Sequence, residues 1–147
     1  MKKNILWVLT LFLTFYSYSK TIRYYQKSDN ISIGAYSEIF TDSTNTFTIQ
    51  QVIKQNKFIP SDNPTPNLGI SSNSFWIKFS IQNESDYKKL LLEYDQPYID
   101  EINVYEVNPK NNTIIRVHRS GDKYNFDNRE YDYQNYIFSI LRHPKQP

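Results

Sequence analysis

Residues 75–83 read Phe-Trp-Ile-Lys-Phe-Ser-Ile-Gln-Asn and alternate without a break: Phe75, Ile77, Phe79 and Ile81 fall on one side, Trp76, Lys78, Ser80 and Gln82 on the other. Side chains of a strand point to opposite faces with period two, so the run predicts a half-buried strand with its apolar side toward the core. Its second side still carries a large aromatic beside a cation, and function is sought there first. Asn67-Leu68-Gly69 gives a turn signal ahead of it. Further strands are expected at 32–41, at 90–95, at 101–107, at 113–120 and in the apolar run 136–141. Pro97 reverses the chain between the second and third of these, a loop at 108–112 makes a hairpin into the next, and Gly121 ends it. Asp42-Ser43-Thr44-Asn45 reads as a polar turn, after which Thr46 or Thr48 caps a short helix ended by Asn56, the only helix expected. Pro60, Pro64 and Pro66 fix φ repeatedly around residues 61–67 and make that stretch an extended loop. Roughly five or six strands with turn signals between them argue for an all-β sandwich or barrel and against alternating βαβ units.

Lys2 and Lys3 precede an apolar run from Ile5 to Tyr16, and Ser17-Tyr18-Ser19 forms a small-x-small cleavage pattern before Lys20. Residues 1–19 therefore read as an export signal, the run being shorter than the roughly 20 apolar residues of a spanning helix. The competing reading is an uncleaved anchor. The chain has 17 basic and 15 acidic residues, and the leader holds two of the basic ones, so the processed chain is neutral. A neutral chain with interspersed signs lacks the footprint of nucleic-acid binding. The absence of cysteine excludes disulfides and thiolate metal sites and leaves stability to the core alone.

The ordered set Gly69, Trp76, Lys78, Phe79, Asn83, Asp100, Tyr105, Gly121, Asp122, Phe126, Arg129 and Phe138 resembles the extracellular sensor domain, type 2, of bacterial seven-transmembrane receptors with diverse intracellular signalling modules. The resemblance covers roughly residues 32–147. Lys78 stands where that family usually has Arg, and Asn125 where it usually has Pro; an ammonium is a point charge without the planar fork of a guanidinium. The resemblance implies a jelly-roll-like antiparallel β-sandwich similar to carbohydrate-binding modules, with one short helix, as the domain at 32–147 after a segment at 20–31. It also implies a further strand pair, a seven-helix membrane region and a cytoplasmic output domain beyond Pro147. The basic, proline-containing stretch 142–147 has no strand after it, so the chain reads as an amino-terminal fragment, with a shortened freestanding module as the alternative.

Enzyme chemistry finds no constellation. His118 and His143 have no Glu or Cys at metal-ligand spacing, and His118 reads as a solvated strand residue. No nucleophile elbow, P-loop or dinucleotide fingerprint occurs. Asp95, Asp100 and Glu101 flank Pro97 as turn residues do, whereas a glycosidase pair needs two carboxyls set across a cleft. Asp122 and Asp127 near Gly121 offer oxygens to calcium, but the spacing matches no EF-hand loop. No cofactor or metal is expected.

The binding reading rests on Trp76, Lys78, Tyr105 and Arg129: aromatics for stacking and cations for charged hydrogen bonds suit a carbohydrate or other small ligand. Beside it stands the reading in which Trp76 belongs to a second small core and Arg129 pairs with an aspartate near Gly121 to fix that loop. The expected role is ligand sensing on the periplasmic or extracellular face of a bacterial membrane receptor. The alternative is a secreted glycan-binding or adhesion module without signalling, and an exported hydrolase fragment is a third class.

Overall fold

The structure, a computed structural model, describes residues 20–26 and 30–141. The expected leader at 1–19 and the stretch 142–147 lie outside the described residues. The described residues form nine strands: Thr21–Tyr24 (β1), Glu38–Asp42 (β2), Ile59–Pro60 (β3), Ser74–Lys78 (β4), Ser80–Asn83 (β5), Lys89–Tyr94 (β6), Ile102–Val107 (β7), Ile114–Ser120 (β8) and Tyr136–Leu141 (β9). One short helix, Ile49–Val52 (α1), and 3-10 turns at Gly34–Tyr36 and Phe126–Asn128 complete the described elements. The strands pair as β1-β5, β3-β2-β4, β6-β9 and β7-β8, and none of these sheets closes on itself. Among the described strand pairs, only β1-β5 is parallel. The architecture is all-β and matches the sandwich expectation.

Strands β6 to β9 follow the sequence closely. Leu90, Leu92 and Tyr94 stand opposite Ile140, Phe138 and Tyr136, so the apolar side of each strand meets its counterpart in register. The β7–β8 hairpin lies between these two partners in sequence and closes through Asn112, whose φ of 57° is one that asparagine tolerates. Its backbone N–H donates to the Asn108 carbonyl at 2.8 Å.

The amino-terminal half departs from expectation in three places. The opening strand begins only at Glu38, because the 3-10 turn at Gly34–Tyr36 is pressed against the proline loop: a Cβ on Gly34 would lie 2.1 Å from the Pro64 carbonyl oxygen. The proline stretch is thus docked on the domain. A strand forms at Thr21–Tyr24, where none was expected, with Ile22 buried and paired to Ile81. Lastly, the alternating run 75–83 is two strands. It breaks at Phe79, β4 pairing with β2 and β5 with β1, as strands do when they turn a corner between sheets.

The register of β2 also reverses the expected faces of β4. Phe40 and Glu38, both buried, stand opposite Trp76 and Lys78, while Ile77 stands opposite Ile39 and is 41% exposed. At Trp76 this side is covered, while Lys78 at its end is exposed. Phe40 carries this part of the core, with Phe47 edge-on at 5.3 Å and Phe58 tilted at 5.8 Å. Val52 of α1 is buried as well; the helix starts where Thr48 N–H donates to the Gln51 side chain at 2.8 Å. A second buried cluster is made by Tyr136 and Phe138 of β9.

Candidate functional site

The β7–β8 hairpin presents two different faces, and the four sequence candidates are best placed against them. On one face lie Asn103 and Tyr105 with Val117 and Arg119 across the strand pair; on the other lie Val104 and Glu106 with His118 and Arg116. Tyr105 stacks on Trp76 of β4, ring centroids 6.0 Å apart at 29°. The pair is half-buried and joins two separate sheets. Two polar atoms here are shut off from solvent with no hydrogen-bond partner among the described residues: the indole Nε1–H of Trp76 and the amide Oδ1 of Asn103. Asn103 spends its amide N–H on Glu101 Oε1 at 3.0 Å. A donor and an acceptor enclosed without partners each cost about 1–3 kcal/mol of uncompensated desolvation.

Lys78 shares the Trp76 side of β4, and its ammonium is engaged. It lies 2.6 Å from the buried Glu38 carboxylate and 4.5 Å from the Phe58 ring centroid. Arg129 makes its contacts elsewhere. Its Nη1 donates to the carbonyls of Tyr133 at 2.9 Å and Gln134 at 2.8 Å, and its Nη2 lies 3.7 Å from Asp122 Oδ1. The guanidinium is also stacked between Phe126 at 4.7 Å and Tyr136 at 4.4 Å. This clamp joins the Gly121 turn to the start of β9 and is completed by the Tyr136 hydroxyl, which donates to Asp122 at 2.8 Å. Burial and the Asp122 carboxylate push the Tyr136 phenol above its usual range. The aspartate offered above to calcium therefore faces a phenol and a guanidinium.

The carboxylates around Pro97 are held by local partners. Asn103, Lys123 and Tyr124 all donate to Glu101, and the Asn103 and Lys123 bonds hold its carboxyl below the usual range, the direction opposite to that of a general acid. Asp95 accepts from the Asn135 amide at 2.8 Å, which also serves Glu93 at 2.7 Å.

One residue read as solvated from the sequence is enclosed. His118 has both ring nitrogens against carboxylates, Nε2 at 3.1 Å from Glu106 and Nδ1 at 3.2 Å from Glu130. The signal was the hairpin register: once Val104 stands opposite His118, Glu106 is its diagonal neighbour on the same face.

A family model described as 7TMR-DISM extracellular 2 matches residues 34–147. No curated protein and no solved structure matches the chain.

Proposed function

This chain belongs to the 7TMR-DISM extracellular 2 family, and from that premise we propose that it senses a carbohydrate or another small polar ligand at the Trp76–Tyr105 pair. The family consists of extracellular or periplasmic sensor domains of seven-transmembrane receptors, so a bound ligand has to change how parts of this domain sit against one another. The observation that carries the reading is the aromatic pair with its enclosed, unpartnered donor and acceptor. A ligand ring entering beside Trp76 and Tyr105 gains stacking, and its hydroxyl or carbonyl groups satisfy the Trp76 N–H and the Asn103 carbonyl. Sugars offer both an apolar ring face and paired donor–acceptor hydroxyls.

The same geometry supplies a transmission route. Trp76 belongs to the β3-β2-β4 sheet and Tyr105 to the β7–β8 hairpin, so a molecule seated at the pair bears on both. Lys78, held by Glu38 and Phe58, fixes the β4 side of the platform in this reading and does not itself reach for ligand. Arg129 does the same for the β9 side through its loop clamp.

A chain beginning at Lys20 keeps Trp76 as its single tryptophan, so indole emission reports this site alone. Titration with a panel of mono- and oligosaccharides and small carboxylic acids should give a saturable change in emission for at least one class. That change should be lost in Tyr105→Ala and weakened in Asn103→Ala. A ligand that binds by calorimetry while leaving Trp76 emission unaltered, with equal affinity for Tyr105→Ala, would place the sensing surface elsewhere.

A further inference from the structure

His118 sits on β8 with a side chain only 11% exposed, between the Glu106 carboxylate of β7 and the Glu130 carboxylate of the segment leading into β9. The Phe138 ring of β9 meets its edge at 5.8 Å. A carboxylate only accepts hydrogen bonds, whereas a neutral imidazole has one N–H and one bare lone pair. With both carboxyls ionised, the 3.1 Å hydrogen bond at Nε2 and the 3.2 Å ion-pair contact at Nδ1 are both favourable only when the ring carries its second proton. Without it, one nitrogen lone pair faces a carboxylate oxygen. The carboxylates approach opposite edges of the ring and do not converge on one point, and among the described residues no group of three or more His, Asp or Glu is placed to hold a metal ion.

Further charged and polar groups face this junction. Arg116 Nε lies 3.8 Å from the same Glu106 oxygen, and the Ser139 backbone N–H donates to Glu130 at 3.1 Å. The Tyr131 hydroxyl is bonded to Ser139 Oγ at 2.7 Å. Burial alone would raise the Glu130 carboxyl, but Ser139 and the His118 charge hold it below the usual range, so Glu130 stays ionised where imidazoles are charged.

We propose that His118 is a proton-binding site that clasps the β7–β8 hairpin to β9 and its preceding segment, so that this domain responds to the proton concentration outside the membrane. The clasp is closed when the imidazole is doubly protonated and bridges Glu106 and Glu130. It loosens when the ring loses its second proton, because one nitrogen lone pair then faces a carboxylate oxygen. At the acid end it is lost again when Glu130 is protonated, below the ordinary glutamate value of about 4.3. The hairpin so held is the one whose opposite face carries Tyr105, so the proton acts on the Trp76–Tyr105 pair from behind; this last link rests on the ligand reading above.

Nitrogen-15 NMR of the imidazole tests the site directly and needs no ligand. In a His143→Gln chain, His118 is the single histidine. In a pH series both ring nitrogens should carry protons at the lower end, and a single tautomer should replace that state as pH rises. The melting temperature should fall by several degrees over the same range, and the fall should vanish in His118→Gln and shrink in Glu130→Gln. A His118 ring that stays neutral throughout the series, or an undiminished fall in His118→Gln, overturns the proposal. Should His118→Gln fail to fold, the ring titration in the His143→Gln chain decides alone.

Discussion

Gly121 turns the chain out of β8 at a φ of +129°, and a Cβ there would lie 2.4 Å from the Asp100 carbonyl oxygen. The neighbouring N–H groups of Asp122 and Lys123 donate to Ile99 at 2.9 Å and Asp100 at 3.0 Å, so the turn cannot back away without losing both bonds. Gly121→Ala should cost at least about 2 kcal/mol, read as a lower denaturation midpoint with an unchanged slope. Asp42 organises the other end of the domain. Its buried carboxylate accepts from Thr44 N–H, Asn45 N–H and Phe47 N–H, each at 2.9 Å, and from the Thr44 hydroxyl at 2.6 Å. Burial alone would raise this carboxyl; the Thr44 hydroxyl and the three N–H groups hold it below the usual range. With the folded value depressed, the stability it contributes is present above the ordinary aspartate value of about 3.9 and is lost as pH falls through the folded value. Acid melts should therefore lose a step in Asp42→Asn, which also sets an amide N–H against the Phe47 N–H and should destabilise the domain at neutral pH. Equal acid profiles for both chains would refute that assignment.

At the scale of elements, period two carried most of the reading and also set its limits. Strands β6 to β9 were legible as short runs rich in apolar and β-branched residues, set apart by loops that hold Pro97, Asn112 and Gly121. The short helix was legible from Thr48 and Gln51, a capping pair three residues apart. Strands β1 and β3 were not, since four and two residues carry too little pattern, and each exists through its partner. Alternation also cannot tell which of two faces is covered or where a strand changes sheets, and so the break at Phe79 and the burial of the Trp76 side came only with the register of β2. The corrected faces make a sharp contrast between two apolar side chains on paired strands. Phe40→Ala should cost about 3–5 kcal/mol, whereas Ile77→Thr, on the exposed side of β4, should cost under about 1 kcal/mol. Chemical denaturation of both variants checks it, and comparable losses would restore the original assignment of faces. Among the candidate site residues, Trp76 and Tyr105 were legible as aromatics but their meeting was not, because it joins β4 to β7 across two sheets. His118 was missed for a similar reason: its two carboxylates come from residues 12 positions away on either side of a hairpin and a loop.

For the whole molecule, the β7–β8 hairpin is the element that meets other parts of the domain on both of its faces. Tyr105 on one face meets the β3-β2-β4 sheet at Trp76, while His118 on the other meets β9 and Glu130. A receptor domain outside a membrane has to convert occupancy into movement, and a hairpin held by an aromatic pair on one side and a protonatable clasp on the other offers two places to bias it. In the proposed reading the Trp76–Tyr105 pair takes the ligand and uses the indole N–H to do so. Trp76→Phe tests it most directly, since it keeps an aromatic ring on Tyr105 while deleting the enclosed donor. For whichever ligand perturbs Trp76 emission in the wild type, calorimetry should give about tenfold weaker binding to Trp76→Phe, the loss of one hydrogen bond, with the melting temperature within a few degrees. Unchanged affinity in a stably folded Trp76→Phe would contradict the account and return the tryptophan to the core.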